Sequence, residues 1–273
     1  MARMHSLSHQ ALTMVLALAP AAVLFGLVAL VRKRRGAIAA LRRARRESAT
    51  NLALVMINYL AIGAVLVPLT DHIDAQLRLT PALADAWLKL PAAAMLLMAL
   101  LIQEFTIYWR HRAEHSPLLW PLHATHHSDE ALTWLTLMRK HPLSHILSNL
   151  VDSIPLVLLG FPAWTVLAVT LIQTWWGYFI HTDLPWTLGP LGKVLISPAA
   201  HRLHHIDDVE LKDRNFGGVL AIFDRMFGTF DDASRHLGCR TGIDGGSRSL
   251  AGELARPFEA AARRKRAAVS PAA

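Results

Sequence analysis

The residues in this chain that could do chemistry are its histidines. Fifteen of the 273 residues are histidine, and 11 of these lie between residues 111 and 205. They form one H-x-x-x-H motif and two H-x-x-H-H motifs, made of His111 and His115, of His123, His126 and His127, and of His201, His204 and His205. The neutral imidazole ring binds zinc, copper, iron and nickel. The motifs therefore predict a metal site.

The spacing of the motifs indicates how many ions they hold. On a helix, residues i and i+4 share one face, with side chains about 5–6 Å apart. The first and last histidine of each motif can therefore reach one ion. The middle histidine of H-x-x-H-H points about 100° away and can reach a second ion. Eight imidazoles are too many for one tetrahedral zinc ion, so we expect two metals.

Three further histidines lie near the motifs. His181 follows a long apolar segment and is expected to be another metal ligand. His141 and His145 are spaced i, i+4, and Pro142 indicates a helix start beside them. Each of the two is either a ligand or a hydrogen-bond donor to a carboxylate or carbonyl group. The remaining histidines, His5, His9, His72 and His236, are expected to be solvated or capped.

Apolar segments must position the motifs. Uncharged runs cover residues 11–31 and 51–70, a third segment begins at residue 90 and continues to residue 109, and residues 142–180 contain only Asp152 as a charge. About 20 apolar residues span a bilayer, and the last segment, broken at Gly160-Phe161-Pro162, favours a helical hairpin. We expect an all-α protein: an integral membrane helical bundle with a histidine-rich, di-metal helical cap on its cytoplasmic face.

The distribution of charge orients the predicted bundle. The chain has 28 Lys and Arg against 20 Asp and Glu, and eight of the basic residues lie at 32–50 with one acid. Residues 71–85 contain one Arg and three Asp. The positive-inside rule therefore places 32–50, the histidine motifs and the basic segment 235–273 in the cytoplasm. No basic face interleaved with aromatic residues is evident, so we expect no nucleic-acid partner.

Composition excludes other classes. The single Cys239 excludes an intramolecular disulfide and a cysteine-based zinc finger. The motif H-E-x-x-H of zinc proteases is absent from the sequence. Two alternatives to a redox enzyme remain open: a membrane zinc-dependent hydrolase that uses the same histidines, and a non-enzymatic metal carrier.

Three arginines flank the motifs: Arg110, Arg112 and Arg202. They either face the polar membrane interface or hold a lipid headgroup.

The order of the motifs resembles the fatty acid hydroxylase/sterol desaturase superfamily of membrane di-iron oxidases. The resemblance rests on H-R-A-E-H, H-A-T-H-H and H-R-L-H-H, with a membrane hairpin before the third motif. The segments D-R-N-F-G at 213–217 and D-R-M-F-G-T at 224–229 resemble the family's ending, and R-K-H-P at 139–142 resembles its R-x-H-P segment. The match covers about residues 95–230.

The resemblance implies a membrane-bound enzyme that hydroxylates or desaturates a C–H bond of a lipid with O2. Two iron ions (Fe2+/Fe3+) would be held by His111, His115, His123, His126, His127, His181, His201, His204 and His205. Electrons would come from a separate cytochrome, ferredoxin or flavoprotein. Glu114, Asp183 and Asp208 are candidates to orient these ligands, and His141 and Asp183 are candidates for additional ligands.

Two departures from the family pattern stand near His181. Asp183 stands where the family often has Asn, and Gly177 stands where some fatty acid hydroxylases carry another histidine. We expect three regions: transmembrane anchor helices with a basic cytoplasmic loop at 1–90, a catalytic domain at 91–232, and a flexible basic cytoplasmic tail at 233–273. The expected location is a bacterial-type inner membrane or its equivalent, with the active site facing the cytoplasm.

Overall fold

The computed structural model describes residues 2–62, 81–208 and 211–269, and the side chains of residues 12–60, 83–208 and 211–262. Several sequence-based expectations lie outside these ranges: the end of the second apolar segment at 63–70, the acidic loop at 71–80 with His72, and the side chains of His5 and His9.

The described residues form ten α-helices and no β-strand, which confirms the all-α expectation. The helices are α1 (Ala2–Lys33), α2 (Ala37–Ile57), α3 (Pro81–Leu88), α4 (Ala92–Glu114), α5 (Trp120–His127), α6 (Pro142–Leu158), α7 (Ala163–Ile180), α8 (Pro198–His204), α9 (Ile222–Met226) and α10 (Leu250–Val269). Extended pairing is limited, in the described ranges, to isolated bridges at Leu195–Leu220 and Ile206–Thr241.

Two helical stretches of the described chain are long and apolar enough to cross a membrane, Leu12–Leu60 and Ala92–Glu114. Large apolar side chains project outward along α1, and Leu16 and Val23 are each 62% exposed. Exposing so many leucine and valine side chains to water would be energetically unfavourable, whereas exposing them to lipid would not. These helices therefore indicate a membrane protein.

The basic segment at 32–50 is helical, whereas the sequence analysis expects a loop there. A 3-10 turn at Arg34–Gly36 separates α1 from α2, and Arg34 adopts a positive φ of 46° at the bend. Helix α2 then contains Ala, Arg and Leu in its first two turns, which are strong helix formers. A π-helical turn at Asn58–Ile62 follows α2. Most basic residues of this segment therefore lie exposed on helical structure and not in a loop.

Residues 142–180 form the expected helical hairpin. Helices α6 and α7 are its arms, and both pack against α4. Gly160 makes the connection with a φ of 73°, a conformation that glycine adopts without strain. The indole nitrogen of Trp87 donates to the carbonyl oxygen of Leu159 at 2.7 Å, and the Trp87 ring stacks on Phe161. The turn is therefore held by α3 from outside.

The segment after residue 233 differs from the flexible tail that the sequence analysis expects. Helix α10 packs against α5 and α2. Its Glu253 is fully buried and its Arg256 is 7% exposed. Arg256 pairs with Glu253 at 2.8 Å, so the burial of both charges is compensated. Basic composition alone suggests a solvated tail, but here part of that charge is buried against the helix that carries a histidine motif.

Candidate metal centre

Two short helices and the ends of two long helices bring the histidine motifs together. His111 and His115 lie at the C-terminal end of α4, and His181 directly follows α7. The first H-x-x-H-H motif occupies the eight-residue helix α5, and the second lies at the end of α8. Ser197 caps α8 by accepting a hydrogen bond from the backbone N–H of Ala200 at 3.1 Å.

The histidines form two groups in which the ligand atoms all lie within 4.8 Å of one another. The first histidine group contains His111, His115, His123, His127 and His204. The second histidine group contains His126, His181, His201 and His205. The groups adjoin, because the rings of His127 and His205 stack with centroids 4.3 Å apart. All nine histidines predicted as metal ligands thus lie in one of the two groups.

The division between the groups follows helical spacing. In each H-x-x-H-H motif, the first and last histidine share one group and the middle one belongs to the other. His126 thus points away from His123 and His127. His111 and His115, spaced i, i+4, are in the same group, as the sequence analysis expects.

The nitrogen atoms within each group converge at distances that suit a shared ion. In the first group, Nε2 of His111 lies 3.1 Å from Nε2 of His123 and 3.0 Å from Nε2 of His204. In the second group, Nε2 of His181 lies 2.9 Å from Nε2 of His201. Two ligand atoms bound to one ion at about 2.1 Å lie about 3.0 Å apart when their bonds meet at a right angle. The observed distances fit that arrangement.

Hydrogen bonding determines which ring nitrogen of each histidine faces its neighbours. Nδ1 of His111 lies 2.8 Å from the carbonyl oxygen of Phe216, and Nδ1 of His204 lies 2.7 Å from that of Arg214. A carbonyl oxygen only accepts, so each Nδ1 carries the proton and each Nε2 of a neutral ring presents a bare lone pair. Two lone pairs facing each other 3.0 Å apart repel unless a positive ion lies between them.

Burial keeps the imidazoles neutral. It lowers the pKa of His123, His126, His127, His201, His204 and His205 well below the usual value of 6.5. Burial also lowers the pKa of His181 to about 4. In the second group, Nδ1 of His126, Nδ1 of His201 and both ring nitrogens of His205 are buried with no hydrogen-bond partner among the described residues. Neutral rings with unpaired nitrogens are the form that binds a metal.

A loop that the sequence analysis does not assign to the site orients the first group. We call residues 213–216 the acceptor loop. Besides the two carbonyl groups at Arg214 and Phe216, it offers Oδ1 of Asp213, which lies 2.8 Å from Nδ1 of His115. Asp213 and Asn215 adopt positive φ values of 66° and 54°. This backbone shape turns successive acceptors toward three histidines of one group.

Two buried carboxylates hold the acceptor loop and the residues after it. Oδ1 and Oδ2 of Asp224 accept hydrogen bonds from the backbone N–H groups of Phe216 and Gly217 at 2.7 and 2.8 Å. Glu104 accepts from the N–H groups of Val219 and Leu220 at 3.0 and 2.7 Å. The D-R-N-F-G and D-R-M-F-G-T segments are therefore one structure, in which the second segment fixes the first.

Glu114 contacts the first group from α4. Its Oε2 atom lies 3.4 Å from Nδ1 of His123 and also pairs with Arg110. Arg110 pairs in turn with Asp152 of α6 at 2.7 Å. The expected role of Glu114 as an orienting group agrees with this geometry. Arg110 is mostly buried among carboxylates, so it neither faces a polar interface nor is free to hold a headgroup.

Three other candidates lie outside both groups. His141 is the N-cap of α6, where its Nδ1 accepts from the N–H of Leu143, and its Nε2 lies 3.2 Å from the carbonyl oxygen of Leu254. Asp183 pairs with Lys33 and Arg202, and its side chain is 45% exposed. Asp208 is exposed and belongs to neither group. In the described structure, the polar atoms of His141 and Asp183 are thus engaged with other groups, and neither residue belongs to a histidine group.

The structure explains the glycine at position 177, where some fatty acid hydroxylases carry histidine. Its carbonyl oxygen lies 2.6 Å from Nδ1 of His181, and so orients that ring. A Cβ atom at Gly177 would lie 2.8 Å from Cδ1 of Leu137, closer than van der Waals contact allows. Helix α7 can therefore approach the 3-10 turn Trp134–Met138 closely.

The buried Arg139 connects helices α2 and α10 to α5. Its guanidinium group donates to Glu47 of α2 at 2.8 Å and to Glu253 of α10 at 3.0 Å. It also donates to the carbonyl oxygen of Thr125 at 2.8 Å and to Oγ of Ser128 at 2.9 Å. Thr125 lies directly before His126 and His127. Arg139, the first residue of the R-K-H-P segment, is thus a positioning residue for α5.

A cavity of about 330 Å³ adjoins both histidine groups. Its walls include His111 and His123 of the first group and His126, His181 and His201 of the second. The other lining residues are mixed. Apolar ones include Val55, Ile107 and Ile180, and polar or charged ones include Asn58, Gln103, Lys140, Ser148, Asn149 and Asp152. The cavity is the space in which a substrate would meet the two groups.

Nine imidazoles in two adjoining groups, beside apolar helices, are typical of a metal-binding membrane protein. Residues 96–229 match the family model of the fatty acid hydroxylases, which covers all nine histidines and the acceptor loop. Residues 96–229 therefore form a fatty acid hydroxylase domain, which confirms the resemblance drawn from the motifs.

Curated relatives carry the names of lipid-modifying enzymes. The chain is 32% identical to ornithine lipid hydroxylase OlsE of Rhizobium tropici over 183 residues, which are 66% of this chain and 54% of that protein. It is 38% identical to human alkylglycerol monooxygenase over 130 residues, or 47% of this chain and 28% of that protein. The alignments thus span about half or less of these relatives' lengths. No solved structure matches the chain significantly.

Proposed function

We propose that the protein is a membrane-bound di-iron monooxygenase that hydroxylates a lipid with O2. The observation that supports this most strongly is the pair of histidine groups. In the first group, Nδ1 atoms that donate to carbonyl oxygens turn bare Nε2 atoms toward a common centre. The names of the relatives, hydroxylase and monooxygenase, favour hydroxylation over desaturation.

The chain's own residues would act as a cage. The first histidine group would hold one ion and the second group the other, and the acceptor loop and Gly177 would keep the rings in register. When bound, a pair of iron ions supplies the reduction of O2 and the oxidation of an unactivated C–H bond. The buried rings, most of them less than 9% exposed, exclude water from that chemistry.

Hydroxylation adds one oxygen atom of O2 to the substrate and converts the other to water, which consumes two electrons and two protons. We expect a separate cytochrome, ferredoxin or flavoprotein to deliver these electrons. The proposed docking side is cytoplasmic, because Lys33 and Arg32, at the basic end of α1, contact Asp183 and Trp186 near the histidine groups. The positive-inside rule favours the cytoplasm for that end.

Lipid mass spectrometry on a strain that lacks the gene, compared with its parent and with the complemented strain, tests the function. We expect a lipid one oxygen atom heavier in the parent, with isotopic label when cells grow under heavy O2. Purified protein should contain iron. A zinc-loaded protein whose product carries no oxygen from O2 would instead support the membrane hydrolase, and metal binding without any lipid change would support the carrier.

A further inference from the structure

We infer that Lys140 binds an anionic group, a carboxylate or a phosphate, at the polar end of the lipid substrate. This inference rests on the proposed function, because it assigns the cavity beside the histidine groups to the substrate. It adds that the polar end of the lipid, rather than the middle of an acyl chain, occupies this cavity.

The cavity wall contains buried polar side chains. Asn58 and Gln103 line the cavity and are each only 4% exposed. The amide nitrogen of Asn58 donates to the carbonyl oxygen of Lys140 at 2.9 Å, which leaves its Oδ1 without a partner among the described residues. Oε1 of Gln103 is likewise unpartnered. Filling such a space with hydrocarbon would leave both oxygens desolvated, at a cost of about 1–3 kcal/mol each.

The charged side chains around the cavity differ in whether they have an ionic partner. The two acidic groups, Glu114 and Asp152, are both paired with Arg110. Lys140 differs, because within the described part of the chain no carboxylate lies within 4 Å of its Nζ atom, which donates only to Oγ of Ser148 at 3.3 Å. Burial and the charge of Arg110 lower the pKa of Lys140. An anion beside Nζ would offset this cost, as paired buried charges do elsewhere in the chain.

The ammonium group of Lys140 lies beside helix α6, close to the first histidine group. Ser148 follows Ser144 by one turn on the same face of α6. Oγ of Ser144 lies 3.3 Å from Oε1 of Glu114, and Glu114 contacts His123. The ammonium group therefore lies about one helical turn along α6 from Ser144, whose hydroxyl group contacts Glu114 beside the first histidine group. A headgroup held there places its neighbouring carbons near the centre.

These observations define the ligand's chemistry. Lys140 offers a positive charge, whereas Asn58 and Gln103 offer acceptors that call for N–H or O–H groups. The polar end is therefore anionic and also carries hydrogen-bond donors. An acylated amino acid meets this description with a carboxylate, and a glycerol phosphate lipid meets it with a phosphate.

Binding of matched single-chain probes to the full-length, iron-loaded protein in neutral detergent tests the inference without turnover. The probes are N-dodecanoylglycine, 1-dodecanoyl-glycerol-3-phosphate and the uncharged N-dodecanoylglycinamide. We expect wild-type protein to bind at least one anionic probe about 10-fold or more tightly than the neutral amide. Preference for the glycine probe assigns a carboxylate lipid, and preference for the glycerol probe assigns a phosphate lipid. Equal binding of all three probes overturns the inference.

Variants separate a direct contact from a structural effect. Lys140→Gln should lose the preference for the anion and keep its affinity for the amide, whereas Lys140→Arg should keep the preference. Lys193→Gln, which removes an exposed charge away from the cavity, is the matched control and should bind as wild type does. A Lys140→Gln protein that still prefers the anion refutes the inference. If that variant does not fold, the probe series on wild type and Lys140→Arg still decides.

Failure of the Lys140 site and failure of the proposed function give different results. A protein that oxidises a lipid but shows no anion preference keeps the function and loses the Lys140 site. A protein that binds the anion through Lys140 but never consumes O2 keeps the site and loses the monooxygenase.

Discussion

Nδ1 of His111 lies 2.8 Å from the main-chain carbonyl oxygen of Phe216, a residue 105 positions later in the chain. This hydrogen bond fixes the proton on Nδ1 and leaves Nε2 free toward the other rings of the first histidine group. The orientation of one histidine on a long apolar helix therefore depends on the backbone of a loop near the end of the domain. The proposed metal centre depends equally on its histidines and on the groups that hold them.

Replacing one histidine from each group should empty the two sites separately. We expect His204→Ala to lose metal from the first group and His126→Ala to lose it from the second, with O2-dependent activity abolished in both. Iron per chain, measured by mass spectrometry, should fall while the circular dichroism spectrum is retained. His236→Ala, outside both groups, is the control and should keep both iron and activity. Normal iron and activity in either ligand variant would count against the site.

Asp224→Asn should loosen the acceptor loop without changing its size. The carboxylate accepts two backbone N–H groups and the hydroxyl group of Thr229, at 2.7–2.8 Å. The amide turns one acceptor into a donor, which should cost about 1–3 kcal/mol of stability and about 10–100-fold in metal affinity. Chemical unfolding and chelator competition measure these effects. Asp232→Asn, at an exposed cap of a 3-10 turn, should change neither.

Chelator-treated protein should lose stability as the pH falls below about 6.5. An unfolded histidine titrates near 6.5, whereas burial lowers the pKa of His126, His201 and His205 well below that value in the fold. The unfolded state then takes up more protons, so stability is full above pH 6.5 and decreases toward pH 4. Each such histidine contributes up to about 1.4 kcal/mol per pH unit. Unfolding curves from pH 8 to pH 5 measure the slope.

A flat stability profile across that pH range would show that the rings are accessible to protons in the folded state. Adding iron back should raise the free energy of unfolding and lower the pH at which the protein unfolds, because bound metal keeps protons off the same Nε2 atoms.

Arg139→Gln should destabilise the protein strongly. It removes the charge that compensates Glu47 and Glu253, both of which are buried, and breaking a buried pair of this kind costs about 3–5 kcal/mol. The exposed pair Arg248–Glu259 provides the control, since Arg248→Gln should cost less than about 1 kcal/mol. Unfolding in denaturant compares the two. Similar small effects for both variants would mean that the Arg139 network is not a stabilising connection.

Reporter fusions should place the start of α2 and the C-terminus on one side of the membrane. The contacts of α2 and α10 with Arg139 require both helices to reach the same face of the protein. Fusions after residue 36 and after residue 273 should therefore be active or inactive together. Reporters that report opposite sides would overturn this arrangement.

Helical periodicity predicted the division of the histidines into two groups, because i, i+4 spacing on a helix decides which rings share a face. Apolar length and the Gly160-Phe161-Pro162 break predicted the hairpin for similarly local reasons. The sequence also named Glu114 as a candidate orienting residue, together with Asp183 and Asp208.

The contacts that the sequence could not predict are long-range or involve the backbone. The acceptors at Arg214 and Phe216 are carbonyl oxygens, which every residue has, so side-chain identity carries no signal for them. The positive φ of Asn215 is the local signal that comes nearest, because Asn tolerates that conformation. Glu47 and Glu253 lie 92 and 114 residues from Arg139, and their pairing depends on the tertiary fold. Asp183 was a candidate ligand or orienting residue because it stands where the family often has Asn, and its pairing with Lys33 and Arg202 could not be predicted from that position.

Arg139 lies where α2 and α10 meet beside helix α5. Glu253 is synthesised 114 residues after Arg139, so α5 cannot settle into its final place until that later segment has been made. A nascent chain that still lacks α10 would therefore expose its imidazoles to any metal ion present.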